Sequence, residues 1–117
     1  RDWSDDVDSR KSRSACVPNW VHSIDAAAAT LTICEAADAG VTGFQMIHDS
    51  FACHAADAPV LAATLRNVYQ KILSENLLQK LADEVRQQLP ASEEIPELPP
   101  FGDLDVNQLN KCQYLFA

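Results

Sequence analysis

Apolar residues recur at steps of three and four from Val17 through Trp20, Ile24, Ala27 and Leu31 to Cys34, a spacing that predicts a helix over residues 18–39. Pro18 suits the first turn of such a helix, and Gly40 suits its stop. The alanine run at 26–29 leaves a smooth flank that another backbone can approach closely. His22 and Asp25 lie three residues apart and off the apolar stripe, so they face roughly the same way. Residues 1–15, RDWSDDVDSRKSRSA, show no period and read as a polar arm or loop with a basic cluster at Arg10, Lys11 and Arg13.

The stretch GFQMIHDSFACH, residues 43–54, predicts two short strands joined by a tight turn near His48-Asp49-Ser50. Asp and Ser are turn residues because their side chains bond nearby backbone, and a turn here lifts Asp49 to the hairpin tip. Residues 57–89 predict a long helical region, with Asp57 as N-cap and Pro59 in the first turn. Leu61, Leu65, Val68 and Ile72 form one stripe, while Leu78, Leu81, Val85 and Leu89 form another. The break between them falls at Ser74-Glu75-Asn76, and Pro90 ends the second helix. Pro90, Pro96, Pro99 and Pro100 make residues 90–102 an extended connection. A short helix capped by Asp103 or Asp105 follows, and the apolar ending YLFA is expected to dock.

Helices with one hairpin make the class α+β. Two short strands cannot form a stable sheet alone, so a third strand comes from elsewhere or the hairpin packs on the helices. The 117 residues, 47% hydrophobic, suffice for one compact domain with a modest core. A net charge of −8 makes the chain by itself a poor match for nucleic-acid phosphates. The cysteines at 16, 34, 53 and 112 lack the close pairing of a zinc knuckle or disulfide framework and read as reduced thiols in a cytosolic protein. No apolar run is long enough for a membrane span, and no membrane partner is expected.

Asp49 is the main candidate for chemistry. A carboxylate at a hairpin tip can hold Mg²⁺, which takes one or two carboxylates with water and phosphate oxygens. An ordinary turn aspartate has the same local pattern. His22 and His48 stand singly, as surface or satisfied histidines commonly do. Cys53 and His54 are adjacent on a strand and point to opposite faces, which argues against a shared zinc. Ser23 and Ser50 lie beside histidines, but no GxSxG nucleophile elbow is present.

The blocks PNWVHSIDA, GFQMIHDSFACHAAD and ELPPFGDLDVNQL…YLFA, in that order, resemble the C-terminal part of single-subunit DNA-directed RNA polymerases, the bacteriophage enzymes and their mitochondrial relatives. The resemblance runs from about residue 16 to the end. It implies an α+β fold, the C-terminal part of a right-hand polymerase palm, mostly helical with one β-hairpin carrying the catalytic Asp49. Residues 1–15 are then a polar arm or loop, 16–89 a palm segment, and 90–117 an extended tail ending in a C-terminal foot. IHDSF looks like the third palm motif, and Asp49 matches one of two aspartates that hold a pair of Mg²⁺ ions for nucleotidyl transfer. His48 and Ser50 would shape the site, and His22 would face the primer–template minor groove near the growing end. Phe116 and Ala117 resemble the foot packed near the active centre, which makes Ala117 a true terminus. The family usually carries a further histidine near the position of Ala28, and its role is absent here.

The implied partners are the rest of the polymerase, namely its N-terminal part, thumb, fingers and first palm aspartate, with template DNA, nascent RNA and NTPs. Residues 1–117 alone are then expected to be inert, and the location to be the cytoplasm of an infected host cell, ahead of a mitochondrion. Two alternatives compete. A DNA polymerase of the related repair family usually reads His-Asp-Glu where this chain has Ser50, with Gln in place of His22. A non-catalytic helical interaction module would use the stripes of 57–89.

Overall fold

The computed structural model describes residues 6–112 together with Tyr114 and Leu115. Its elements are helix α1 (Ser9–Asp38), strands β1 (Phe44–Ile47) and β2 (Ser50–Cys53), helices α2 (Ala58–Ser74) and α3 (Leu77–Gln88), and a 3₁₀ helix (Val106–Lys111). The chain is thus mostly helical with one antiparallel hairpin, compatible with the α+β class. It divides into two compact units, Arg1–Leu61 and Ala62–Ala117.

In the first unit, α1 begins at Ser9 rather than at residue 18, which corrects the expected arm over residues 9–15. The start is set by Asp8, whose Oδ1 accepts from the backbone N–H of Arg10 at 3.1 Å and Lys11 at 3.0 Å. Ser, Arg, Lys and Ala then sustain a helix without an apolar stripe. Pro18 lies inside α1 instead of opening it, and it has no N–H to give the carbonyl of Ser14. The helix stops in a Schellman arrangement. Gly40 N–H bonds the Ala37 carbonyl at 2.9 Å and Val41 N–H bonds that of Ala36 at 3.0 Å, with Gly40 at φ 97°.

The buried line of α1 runs through Ala28, Thr32 and Ala36. It therefore follows the smooth alanine flank rather than the stripe of larger residues, whose Val17, Ala27 and Cys34 are exposed. Thr32 tolerates full burial because its hydroxyl donates to the Ala28 carbonyl at 2.7 Å.

The strands pair Phe44 with Cys53, Gln45 with Ala52, Met46 with Phe51 and Ile47 with Ser50. Directly paired residues share a face. Phe44, Met46, Phe51 and Cys53 are half-buried, while Gln45, Ile47, Ser50 and Ala52 form the exposed face. Phe44, Phe51 and Cys53 pack on a core of Ala36, Val41 and Leu61. The hairpin is thus held by residues of α1, α2 and the loop between α1 and β1, and not by a third strand among the described residues.

In the second unit, α2 buries Thr64, Leu65 and Val68. The break falls where the pattern puts it, with Asn76 capping α3 through a bond from Gln79 N–H to its Oδ1 at 2.9 Å. Only Ala82 of α3 is buried, and Val85 and Leu89 stay exposed. The 3₁₀ helix starts at Asp105, one of the two expected caps. It is tied to α2 by polar bonds: Gln70 Nε2 donates to Asn107 Oδ1 at 3.1 Å, Asn110 Nδ2 donates to Gln70 Oε1, and Arg66 Nε donates to the Cys112 carbonyl at 3.3 Å. Beyond it Tyr114 is 78% exposed, so the expected docking of the apolar ending does not extend to this residue.

Candidate active site

The hairpin tip is a two-residue turn, His48-Asp49, closing the Ile47–Ser50 pair. Among the described non-glycine residues only His48 has positive φ, at 54°. Two-residue hairpin loops match the strand twist when the first loop residue adopts positive φ. Glycine does this freely, whereas an L side chain pays roughly 1 kcal/mol or more. A histidine here is therefore not the cheapest way to make the turn, and its imidazole is held beside Asp49 despite the strain.

Asp49 is solvent-exposed. No cation pairs with it among the described residues: Lys11 lies beside Asp8, Lys80 pairs with Glu75 and Arg86 pairs with Asp83. The carboxylate is thus presented to solvent on a braced turn, not folded back as a cap. The brace has two parts. The inner hairpin face rests on Leu61, Val41 and Ala36. At the open end, the His54 ring lies over Gly43, where a Cβ would meet His54 Cδ2 at 3.1 Å and Nε2 at 3.2 Å. The sequence signals the Gly43–His54 contact only by a glycine placed immediately before β1.

The tip brings together His48, Asp49 and Ser50, all exposed. His22 stands apart from them in sequence, on the exposed surface of α1. Phe116 and Ala117 lie outside the described residues. Ser23 donates to the Trp20 carbonyl at 2.6 Å, a local helix bond. The four cysteines are free, and Cys53 donates its thiol to the His54 carbonyl at 3.3 Å. Among the described residues no three His, Cys, Asp or Glu side chains gather to enclose a metal ion. No described helix is long and apolar enough to cross a membrane.

Residues 1–94 match the family model described as DNA-dependent RNA polymerase. Over 112 residues, 96% of this chain, it is 35% identical to DNA-directed RNA polymerase 3, chloroplastic, of Nicotiana sylvestris. It is 34% identical over 97% of its length to DNA-directed RNA polymerase 2, chloroplastic/mitochondrial, and 30% identical over 97% to DNA-directed RNA polymerase 1, mitochondrial, both of Arabidopsis thaliana. The chain spans about 11% of the length of each of these three relatives. No solved structure matches. These relatives are organellar, which overturns the expectation of an infected host's cytoplasm: the blocks shared by phage and organellar polymerases do not distinguish the two settings. With a matched span that contains α1, the hairpin, α2 and α3, the chain belongs to the DNA-dependent RNA polymerase family.

Proposed function

We propose that this chain is the part of an organellar-type RNA polymerase palm that presents one of two metal-binding aspartates, Asp49, to the growing RNA end. The observation that carries this reading is the exposed, unpaired Asp49 carboxylate on a two-residue turn whose first residue is a left-handed His48. A single carboxylate with open surroundings suits Mg²⁺, which keeps water and phosphate oxygens in its shell, better than an ion that needs a full protein cage. Two Mg²⁺ ions, when bound, would supply charge stabilisation for phosphoryl transfer from an NTP to the RNA 3′-hydroxyl.

The residues of this chain contribute position and charge. Asp49 offers a negative charge where cations and phosphates converge. His48, fixed by its backbone conformation, and Ser50, at the start of β2, flank that carboxylate and shape its surroundings. His22 faces the minor groove of the primer–template duplex from α1. Template DNA, nascent RNA and NTPs are the substrates. The first palm aspartate, the fingers and the thumb come from the remainder of the polymerase, so residues 1–117 alone make no RNA.

The test is Asp49→Asn in the polymerase that carries this chain, assayed for Mg²⁺-dependent RNA synthesis. The shape is kept and the charge removed, and synthesis falls by about 10³-fold or more, at least the effect of removing one transition-state stabilising group. Synthesis within tenfold of the unaltered enzyme refutes the reading. RNA synthesis by the isolated chain refutes the need for partners.

A further inference from the structure

The connection between α3 and the 3₁₀ helix carries a pattern that neither the fold nor the candidate site uses. Residues 93–105, EEIPELPPFGDLD, form neither helix nor strand. Pro96, Pro99 and Pro100 have φ fixed by their rings, and Ile95, Leu98 and Pro99 are each biased to extended backbone by the proline that follows. A chain so constrained favours the polyproline geometry of three residues per turn. At that period Ile95, Leu98, Phe101 and Leu104 share one edge, about 28 Å long. Glu94, Glu97 and Asp103 share the adjoining edge. We propose that this segment docks, by its apolar edge, in an extended groove with Lys and Arg along one rim, on the part of the polymerase outside these 117 residues. This rests on membership of the polymerase family and not on Asp49.

Exposure divides the apolar edge. Ile95 and Leu98 are half-buried, whereas Phe101 is 72% and Leu104 67% exposed. The first half is thus partly covered by the chain itself, and the second half stands in solvent. Large apolar side chains on a proline-stiffened chain lose little backbone entropy on docking, which is why such segments serve as ligands for apolar grooves.

Charge sets the kind of groove. No Lys or Arg stands between Arg86 and Lys111, while Glu93, Glu94, Glu97, Asp103 and Asp105 all do. Asp105 is committed to the 3₁₀ helix, where its Oδ1 accepts from Asn107 N–H at 3.1 Å. The other four are exposed, and among the described residues none of them is in an ion pair. Like charges gathered on so short a segment repel one another, and a basic rim turns that repulsion into attraction and fixes the register of docking. A groove elsewhere in the same polymerase meets the segment at high effective concentration, so weak contacts suffice to hold it.

The experiment follows chymotryptic cleavage after Phe101 in the whole polymerase without nucleic acid. Each rate is taken relative to that of the same protein unfolded in urea, which cancels effects on recognition by the protease. Docking makes cleavage slow at about 50 mM salt and faster at about 500 mM, where exposed charges are screened. Each exposed ion pair contributes roughly a factor of two. Glu94→Gln/Glu97→Gln/Asp103→Asn therefore speeds cleavage about eightfold at low salt and removes the salt dependence. Leu104→Ser takes one large side chain from the groove and speeds cleavage about tenfold or more. Rates that respond neither to salt nor to these substitutions overturn the proposal. The occupant is identified by irradiating Phe101→p-benzoylphenylalanine polymerase and mapping the crosslink. Crosslinks to a Lys- or Arg-bearing segment outside residues 1–117 of the same polypeptide are expected. Crosslinks confined to residues 1–117, or joining two copies, overturn it. The Asp49→Asn enzyme is cleaved at the unaltered rate while losing synthesis, so failure of this proposal leaves the assignment of Asp49 standing, and the reverse.

Discussion

Leu61 supports the hairpin that carries Asp49, although it lies in α2 and twelve positions away in sequence. It is 7% exposed and forms, with Ala36 and Val41, the core that the inner hairpin face covers. Truncation to alanine removes buried methyl and methylene groups worth about 0.8 kcal/mol each, and the residual cavity brings the total to about 3 kcal/mol. A two-stranded hairpin has almost no stability of its own, so most of this loss falls on hairpin docking. Three kcal/mol is a factor of about 150 in an equilibrium constant. In Leu61→Ala polymerase, hydrogen exchange of a peptide covering residues 44–53 should therefore speed up by about two orders of magnitude. RNA synthesis should fall with it and require more Mg²⁺, because the turn no longer holds the carboxylate in place. Ile47→Ala is the internal comparison: Ile47 is in the same hairpin but 57% exposed on the outer face, so its truncation should change exchange by less than about tenfold. Exchange in Leu61→Ala within threefold of the unaltered enzyme, or equal effects of the two substitutions, would show that the hairpin is not held from the α2 side.

Replacing His48 by glycine relieves the left-handed strain but adds chain entropy to be lost, two terms of about 1 kcal/mol that oppose each other. Hairpin exchange should hardly change while RNA synthesis drops, and retention of full synthesis would remove His48 from the site. Gln70→Ala deletes both amide bonds to the 3₁₀ helix, about 1 kcal/mol each, so tryptic cleavage after Lys111 should accelerate about tenfold to thirtyfold. The Asp105 carboxyl is held below its ordinary value of 3.8 by the backbone N–H of Asn107, and further by the side chains of Asn107 and Gln108. A lowered carboxylate stabilises the folded cap fully above that ordinary value and loses its effect as pH falls through the lowered one. The Asn107 amide signal should therefore titrate with a midpoint below 3.8, and Asp105→Asn should abolish that titration.

The hairpin was legible because two independent signals agreed, alternation on both sides and turn residues between them. The break at Ser74–Asn76 was legible for a similar reason, since the apolar stripe changes phase where a capping residue stands. The start of α1 was not, because Pro18 is a strong local start signal and residues 9–15 carry no apolar period. The information lay in one Asp8 side chain and in residues that are merely willing to be helical. The buried face of α1 was misread in the same way. Periodicity weighs large apolar residues, yet Ala28, Thr32 and Ala36 are buried because they are small and the threonine satisfies its own hydroxyl. The tip residues could be found from sequence, whereas the contact of His54 with Gly43 depends on a spatial approach that no pattern encodes. The cellular setting could not be read from the three blocks either.

The two-residue turn has a consequence for how this segment can diverge. Its register joins Ile47 directly to Ser50, and strand side chains alternate with a period of two. One residue inserted or deleted within 44–53 would exchange the inner and outer faces of one strand, turning Phe51 and Cys53 outward or Ile47 inward. The hairpin can therefore accept substitutions but not changes of length. The stretch over residues 90–94, which is exposed and pairs with no strand, is where length variation should accumulate among descendants of this gene. An alignment gap inside the hairpin would mark a copy in which the face carrying Phe44 and Phe51 no longer packs on Leu61.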